Sequence, residues 1–461
     1  MPVFRRLSEL PVSAPEAFAW HARPAAFERL APPWQHVRML SRDGGLEPGA
    51  RLRLSLRAGP LRIRWEARHG PMEPGRFFTD EQVRGPFAAW LHTHRFIPHG
   101  DFACLLEDEV DFRLPLSPLG PLLGTGAVLR SLEAVFRLRH ARTAHDLARH
   151  ARYAAQPPLT VVVSGASGLV GRRLCAFLTS GGHTVRRLVR RAPRDPGEIA
   201  WNPAAGELDP AALEGVDAIV HLGGANLAER RWSEQRKHEL WASRVGSTSL
   251  LARTLADLQR KPRVFVVSSA IGYYGDSGET PVDESAPRGE GFLAELCEAW
   301  EASAEPARQA GIRTVPLRTG LVIAGEDGVV PKLAPLFALG LGGPLGSGEQ
   351  RMSWIALEDL LTVLHSALYE PTWEGPINAV APEAPTNQEF TRSLARVLRR
   401  PAVLRVPAGV IRMVLGQLGR EALLAGQRVV PTRLQEADFT WRLPQLEDAL
   451  AEELGRAPLA P

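Results

Sequence analysis

The sequence predicts an α/β protein: a doubly wound parallel sheet with a small C-terminal helical lobe, preceded by an α+β domain. Three observations carry that expectation. Between about residues 159 and 390, short β-branched runs ("LTVVVSG", "HTVRRLVR", "DAIVHLGG", "RVFVVSSA", "RTVPLRTG") alternate with helical stretches. Near-continuous apolar strands of this kind belong to a sheet covered on both faces. The first of them runs straight into a glycine-rich turn that opens a helix. Before residue 150 the pattern is different, with alternating strands split by Gly and Pro and one long closing helix.

The first segment, about 1–150, opens with the strand-like "PVFRRLSEL" and the helical "APEAFAWHARP". The runs "RLRLSLRA", "IRWEARH", "RFFTDEQVRG", "AAWLHTHRFIP" and "CLLEDEVDFRLPL" follow, and "VLRSLEAVFRLRHARTAHDLARHAR" reads as the long helix. A linker is expected over 151–158. The α/β segment covers 159–390, with "SEQRKHELWASRVGSTSLLARTLADL" as its longest helical stretch. Residues 391–461 read as mostly helical, too small to stand alone, and packed on the α/β segment.

Bulk properties exclude several classes. At 461 residues the chain needs two or three domains. Its net charge is +4, and all but three of its 55 basic residues are arginine, spread over the whole chain. That is a compositional habit and not a nucleic-acid patch. The three cysteines, Cys104, Cys175 and Cys297, are far apart, so no disulfide frame or zinc spacing is expected and a cytoplasmic setting is. The first residues lack the apolar core of a signal peptide, and no run is long enough for a membrane span.

In "SGASGLVGRRLCAFL" the glycines are Gly165, Gly168 and Gly171. The first permits a tight turn, the second lets backbone approach a pyrophosphate, and the third lets the helix pack close to the strand. The helix N-terminus adds free N–H groups for phosphates. The second strand of the segment ends at Arg190, followed by Arg191, where an NAD site would carry a carboxylate. Positive charge there suits a 2′-phosphate, so NADPH is expected in preference to NADH.

Together "VSGASGLVGRRL", "VDAIVHLGGANL", "SRVGST", "SSAIGYYG", "LRTGLVI", "GLGGPLGSGEQRMSWIALEDL" and "GPINAVAPEAPTNQEF" resemble the atypical short-chain dehydrogenase/reductase group. More closely, residues 159–455 are similar to the NAD-dependent epimerase/dehydratase-like proteins with a C-terminal domain of unknown function, matched by "GQRVVPTRLQEADFTW" and "LEDAL". The resemblance implies a Rossmann-like sheet. Residues 1–150, through "FTDEQVRGPFAAWLHTHRF", resemble the START-like, helix-grip domains of polyketide cyclases and lipid-transfer proteins. That implies an apolar ligand held between the long helix and the sheet.

The resemblance also implies an Asn, Ser, Tyr and Lys tetrad, in which Tyr moves the proton, Lys lowers the Tyr pKa and Ser polarises the substrate oxygen. Here those positions fall on Arg244, Ala270, Phe292 and Leu296. The four tyrosines (Tyr153, Tyr273, Tyr274, Tyr369) are followed four residues on by Pro157, Ser277, Gly278 and Trp373, so no Tyr-x-x-x-Lys exists. The candidate catalytic residues are therefore replacements, Tyr273 and Ser269. Lys237 and Arg244 are candidates to meet an anion, and Asp359 is expected to position a loop. The candidate cofactor-binding residues are Gly165, Ser167, Gly168, Leu169, Val170, Gly171, Arg190, Arg191, Leu222, Gly223, Gly224, Ser268, Arg318, Thr319 and Gly320. The glycines of "GLGGPLGSGEQR" suggest a loop closing over a small substrate pocket.

In the first segment Trp90, His92, His94 and Phe96 share one face of a strand. Two histidines alone make no metal site, so no metal is assigned and a cavity lining is expected. "APPWQHV", around Trp34, is expected to cap that cavity. The expected function is an NADPH-dependent oxidoreductase or epimerase-like enzyme acting on a small, possibly apolar, unidentified substrate. The alternative is a non-catalytic NADPH-binding sensor, with the missing tetrad as its mark.

Overall fold

The computed structural model describes residues 2–58, 61–115 and 119–456. The end of the "CLLEDEVDFRLPL" run and the last five residues of the C-terminal lobe lie outside them. The described residues form two compact units, one of residues 2–157 with 179–182 and 452–456, the other of 158–178 and 183–451.

The first unit is one seven-stranded antiparallel sheet with helices. Its strands are β1 (Val3–Leu10), β2 (Arg38–Asp43), β3 (Arg51–Ala58), β4 (Leu61–Glu73), β5 (Phe77–Arg84), β6 (Ala89–Pro98) and β7 (Cys104–Arg113). Their spatial order is β1-β7-β6-β5-β4-β3-β2, a meander whose first strand folds back beside the last. Helices α1 (Ala14–Ala22) and α2 (Ala26–Leu30) follow β1, and the 33-residue α3 (Leu119–Ala151) closes the unit. Leu132, Val135 and Phe136 of α3 pack on Phe4, Val110 and Phe112 of the sheet. This is the helix-grip arrangement.

The second unit holds an eight-stranded sheet of β8 (Thr160–Ser164), β9 (Thr184–Val189), β10 (Glu198–Asn202), β11 (Glu207–Leu208), β12 (Ala218–His221), β13 (Val264–Ala270), β15 (Arg313–Thr319) and β18 (Ile377–Ala379). Two short parallel pairs stand apart, β14 (Pro281–Val282) with β19 (Arg428–Val429) and β16 (Leu321–Ile323) with β17 (Trp354–Ala356). The order β11-β10-β9-β8-β12-β13-β15-β18 is that of a Rossmann-like sheet, parallel except for the short edge strand β11. The chain winds outward from β8 in one direction and then, from β12, in the other. The switch point between β8 and β12 is where such sheets bind ligands.

Alternation along the central strands explains the continuous apolar runs. Val161, Val163, Val220, Val264 and Val266 face one way, onto α4 (Leu169–Ser180) and the helix Leu357–Tyr369. Val162, Ile219, Phe265 and Val267 face the other, onto α6 (Ser247–Asp257) and Trp300. The single helical stretch expected before β13 is instead α5 (Glu234–Trp241), a π-helical turn over Ala242–Gly246, and then α6. Such turns widen a helix by one residue, often at functional positions.

Asp359 does what its sequence position suggested. It is fully buried and accepts backbone N–H bonds from Arg442 (2.7 Å) and Leu443 (3.1 Å), fastening residues of the C-terminal lobe to the helix Leu357–Tyr369. Asp359→Ala strands both donors. The expected loss is about 1–3 kcal/mol per stranded group, read as a lowered urea midpoint of the full chain.

Candidate active site

The glycine-rich turn joins β8 to α4 at the switch point. Gly165 has φ +67°, and a Cβ there would lie 2.7 Å from the carbonyl carbon and oxygen of Leu222. A Cβ on Gly171 would lie 2.3 Å from Gly165 O. Both positions therefore require glycine, one for the turn and one for the approach of α4. Gly168 is less crowded, with Gly165 O at 3.3 Å as its nearest neighbour, and it is exposed beside Ser167. The open backbone of Ser167 and Gly168 leads into the first residues of α4, Leu169 and Val170. The structure thus brings together the loop after β8 and Leu222, Gly223 and Gly224 after β12.

Beneath this junction lies a hydrogen-bonded chain that the sequence reading missed. His221 ends β12 and is fully buried. Its Nδ1 is 2.5 Å from Ser164 Oγ and its Nε2 is 3.0 Å from Ser247 Oγ. Ser247 spends its hydroxyl proton on Ser243 O (2.7 Å), so His221 Nε2–H donates to Ser247 and Nδ1 accepts from Ser164. A Cβ on Gly223 would come within 3.2 Å of the imidazole. The only sequence signal was a histidine inside an apolar strand, with partners 57 and 26 residues away.

The arginines divide into committed and uncommitted. Arg191 forms a two-pronged pair with Glu198, both bonds 2.7 Å. Arg190 is exposed and makes no ion pair or hydrogen bond with the described residues. Of the two arginines expected at the cofactor, Arg190 is therefore the uncommitted one. Arg318, expected near the cofactor, instead grips Glu301 of α7 (Phe292–Ala302) through Nε and Nη2, each 2.9 Å from a carboxylate oxygen. Arg244 sits in the π-helical turn, buried, donating to Ala225 O (2.9 Å) and lying 5.1 Å from the Trp300 ring centre. It has no carboxylate partner among the described residues, and burial pulls its pKa down to about 10. A Cβ on Gly224 would touch its guanidinium at 3.1 Å. Lys237 pairs with Glu234.

The loop after β13 carries the two tyrosines. Tyr274 is buried and donates to Asn378 Oδ1 (2.7 Å), while Arg318 donates to its oxygen (3.0 Å). Burial pushes its pKa up to about 12. Tyr273 lies under Arg318, whose Cζ is 3.5 Å from the ring centre, and its hydroxyl bonds to no described residue. Ser269 donates to Glu301 Oε1 (2.7 Å) and is buried. Its hydroxyl is therefore spent on the Glu301–Arg318 pair, on the face opposite to that of half-buried Ser268. Helix α7 begins with Phe292 and carries Leu296 in its core, so it offers neither tyrosine nor lysine. Thr319 bonds to Leu317 O (3.3 Å), and Gly320 is pressed against Ser353 O, where a Cβ would stand 2.8 Å away.

A cavity of about 300 Å³ lies beside the tyrosine loop, lined by Gly272, Gly275, Asp276 and Glu290 together with Arg420, Glu421 and Gln427 of the C-terminal lobe. Gln427 Nε2 donates to Gly275 O (2.7 Å), and Gly426 N donates to Asp276 (3.0 Å), which ties the two sides together. Asp276, Glu290, Arg420 and Glu421 give the lining four charged groups, beside the apolar Leu293 and Ala425. The glycine loop around residue 345 is pinned by bridges from Leu345 to Val406, Arg351 to Thr386 and Met352 to Gln427.

Comparison with known proteins bears on this geometry. The NAD dependent epimerase/dehydratase family model matches residues 161–378, and a domain of unknown function (DUF1731) matches 406–453. The chain is 43% identical over 301 residues to an epimerase family protein of Mycobacterium bovis, covering 98% of that protein and 65% of this one. The chain belongs to the epimerase family. The human epimerase family protein SDR39U1, solved with NADPH, is similar at 34% identity and TM-score 0.59, over 64% of this chain and 99% of that one. These epimerase family relatives leave the first unit unmatched, which the polyketide cyclase/dehydrase and lipid transport model matches over 10–134. The fused arrangement as a whole is similar to a solved nucleoside-diphosphate sugar epimerase of Corynebacterium glutamicum, at 31% identity and TM-score 0.81, covering 99% of this chain and 90% of that one. No helix among the described residues is long and apolar enough to cross a membrane.

Two outcomes are expected here. Gly171→Ala forces α4 off its loop, with a loss of about 1–3 kcal/mol measured by urea unfolding. His221 gives a pH dependence. Burial, with a smaller contribution from Arg244, pulls its pKa from 6.5 to about 3. The folded chain then binds this proton less readily than the unfolded one. The contribution to stability is complete above pH 6.5 and is lost as pH falls towards 3. The urea midpoint of the wild type is expected to fall more steeply below pH 6.5 than that of His221→Asn.

Proposed function

We propose that the second unit binds NADPH at the carboxyl edge of its sheet and catalyses an oxidoreduction, or an epimerase-like reaction, on a small substrate. The observation that carries this is the close approach of Gly165 and Gly171 to neighbouring backbone, with exposed Gly168 between them at the switch point. Ser167, Leu169 and Val170 present backbone N–H groups to the pyrophosphate, and Gly168, whose own N–H bonds to Gly165 O, keeps that surface clear. Arg190, uncommitted beyond β9, meets the 2′-phosphate. Leu222, Gly223 and Gly224 form the other wall of the crevice. The NADPH named with the human relative supports the same choice.

Bound there, NADPH supplies a hydride. Tyr273 gives the proton to the substrate oxygen and regains it from solvent. Arg318, paired with Glu301, holds the Tyr273 ring, and Ser269 braces Glu301, so both serve as positioning residues. The charged cavity between the tyrosine loop and residues 420–427 favours a polar, hydroxyl-bearing substrate, with the C-terminal lobe as its outer wall. The fused first unit, about residues 1–150, holds an apolar ligand of its own. The absent Tyr-x-x-x-Lys pair, with Phe292 and Leu296 in the corresponding helix, favours a second reading as a non-catalytic NADPH sensor.

Calorimetric titration of the full chain tests the cofactor reading. NADPH is expected to bind at least about tenfold more tightly than NADH. Arg190→Ala is expected to erase that difference by weakening NADPH alone. Binding of neither cofactor, or tighter binding of NADH, would overturn the reading.

A further inference from the structure

The first unit contains a cavity of about 410 Å³, lined mainly by apolar groups such as Leu54, Ile63, Trp65, Phe78 and Leu132. One patch of its wall is different. Cross-strand register sets Asp80 of β5 opposite His92 of β6, and His94 of β6 opposite Asp108 of β7. All four face the same side of the sheet, and His92, His94 and Asp108 are buried. Of the stretch expected to cap this cavity, Ala31, Gln35 and Val37 line it, while Trp34 packs with the Phe4 and Phe136 cluster.

We propose that Asp80, His92 and His94 bind one divalent first-row transition-metal ion at the wall of this cavity. Their ligand atoms all lie within 4.8 Å of one another. Asp80 Oδ2 is 3.1 Å from His92 Nδ1 and 3.7 Å from His94 Nε2. Donors about 2.1 Å from a shared ion, at octahedral or tetrahedral angles, stand roughly 3.0–3.4 Å apart. Small side-chain shifts bring the three to that spacing. Two imidazoles and one carboxylate suit iron(II), cobalt(II) or zinc(II) rather than magnesium or calcium.

The opposite nitrogens strengthen the assignment. His92 Nε2 is 3.0 Å from Asp108 Oδ1, and His94 Nδ1 is 2.5 Å from the same oxygen. His140 Nε2, from α3, donates to the other oxygen at 2.6 Å. One buried carboxylate thus holds His92 from behind by a hydrogen bond, as metal-ligating histidines are usually held, and lies against His94 Nδ1. Arg139 lines the same cavity but donates to Leu30 O (3.3 Å) and pairs with neither aspartate. Three protein ligands leave coordination positions open for the polar head of a mainly apolar ligand.

The test uses the full chain, stripped with a chelator and titrated with cobalt(II). Visible absorption reports imidazole coordination, and elemental analysis reports stoichiometry. One cobalt equivalent is expected in the wild type and is expected to disappear in both His94→Ala and Asp80→Asn. Asp108→Asn keeps all three ligands and is expected to weaken binding about 10–100-fold. Far-ultraviolet circular dichroism shows which variants are folded, and either ligand variant alone suffices. A wild type that binds no cobalt, or the same cobalt content in wild type and folded ligand variants, would overturn the proposal.

Discussion

The site depends on a place where backbone approaches backbone too closely for any side chain. The loop after β8, the start of α4 and the loop after β12 meet at Gly165, Gly171 and Leu222, with room for no Cβ at either glycine. This junction is open to solvent at Ser167 and Gly168 and, across from them, at Gly224. Its floor is the uncharged His221, locked between Ser164 and Ser247. A buried, fully bonded imidazole fixes the ends of β8 and β12 without placing a charge under the loop. The pyrophosphate part of the proposed cofactor site follows from that stretch of backbone.

Charge is then distributed by pairing. Arg191 and Arg318 are neutralised by Glu198 and Glu301, and so serve the architecture. Arg190 and Arg244 have no carboxylate partner among the described residues, Arg190 exposed and Arg244 buried. Arg318 also couples the two tyrosines to α7. It bonds the Tyr274 oxygen and covers the Tyr273 ring, so the helix that carries a Tyr–Lys pair in relatives of this fold here carries the anchor Glu301 instead.

Much of this was legible in the sequence. The glycine spacing after an apolar strand predicts both the turn and its place in the sheet, because the steric demand is local. The alternation in "AAWLHTHRF" likewise puts His92 and His94 on one face. Pairings between distant segments were not legible. Ser269 is readable as a strand-end serine, but its commitment to Glu301 needs the packing of α7. Arg191 and Arg318 look available until Glu198 and Glu301 are placed. The same holds for Asp80 and Asp108, which the strand register delivers to the two histidines. Local conformation is written in neighbouring residues, whereas neutralisation of charge is settled by tertiary contact.

The claim that this altered site is still an enzyme is tested most directly by cofactor labelled with deuterium at C4. The full chain is incubated with each C4-deuterated epimer of NADPH and a panel of carbonyl and sugar-nucleotide compounds, and products are read by mass spectrometry. Transfer of one deuterium from one epimer, reduced at least about tenfold in Tyr273→Phe with NADPH affinity unchanged, is the predicted result. Tight NADPH binding with no label leaving the cofactor for any compound would contradict it and leave the sensor reading in its place.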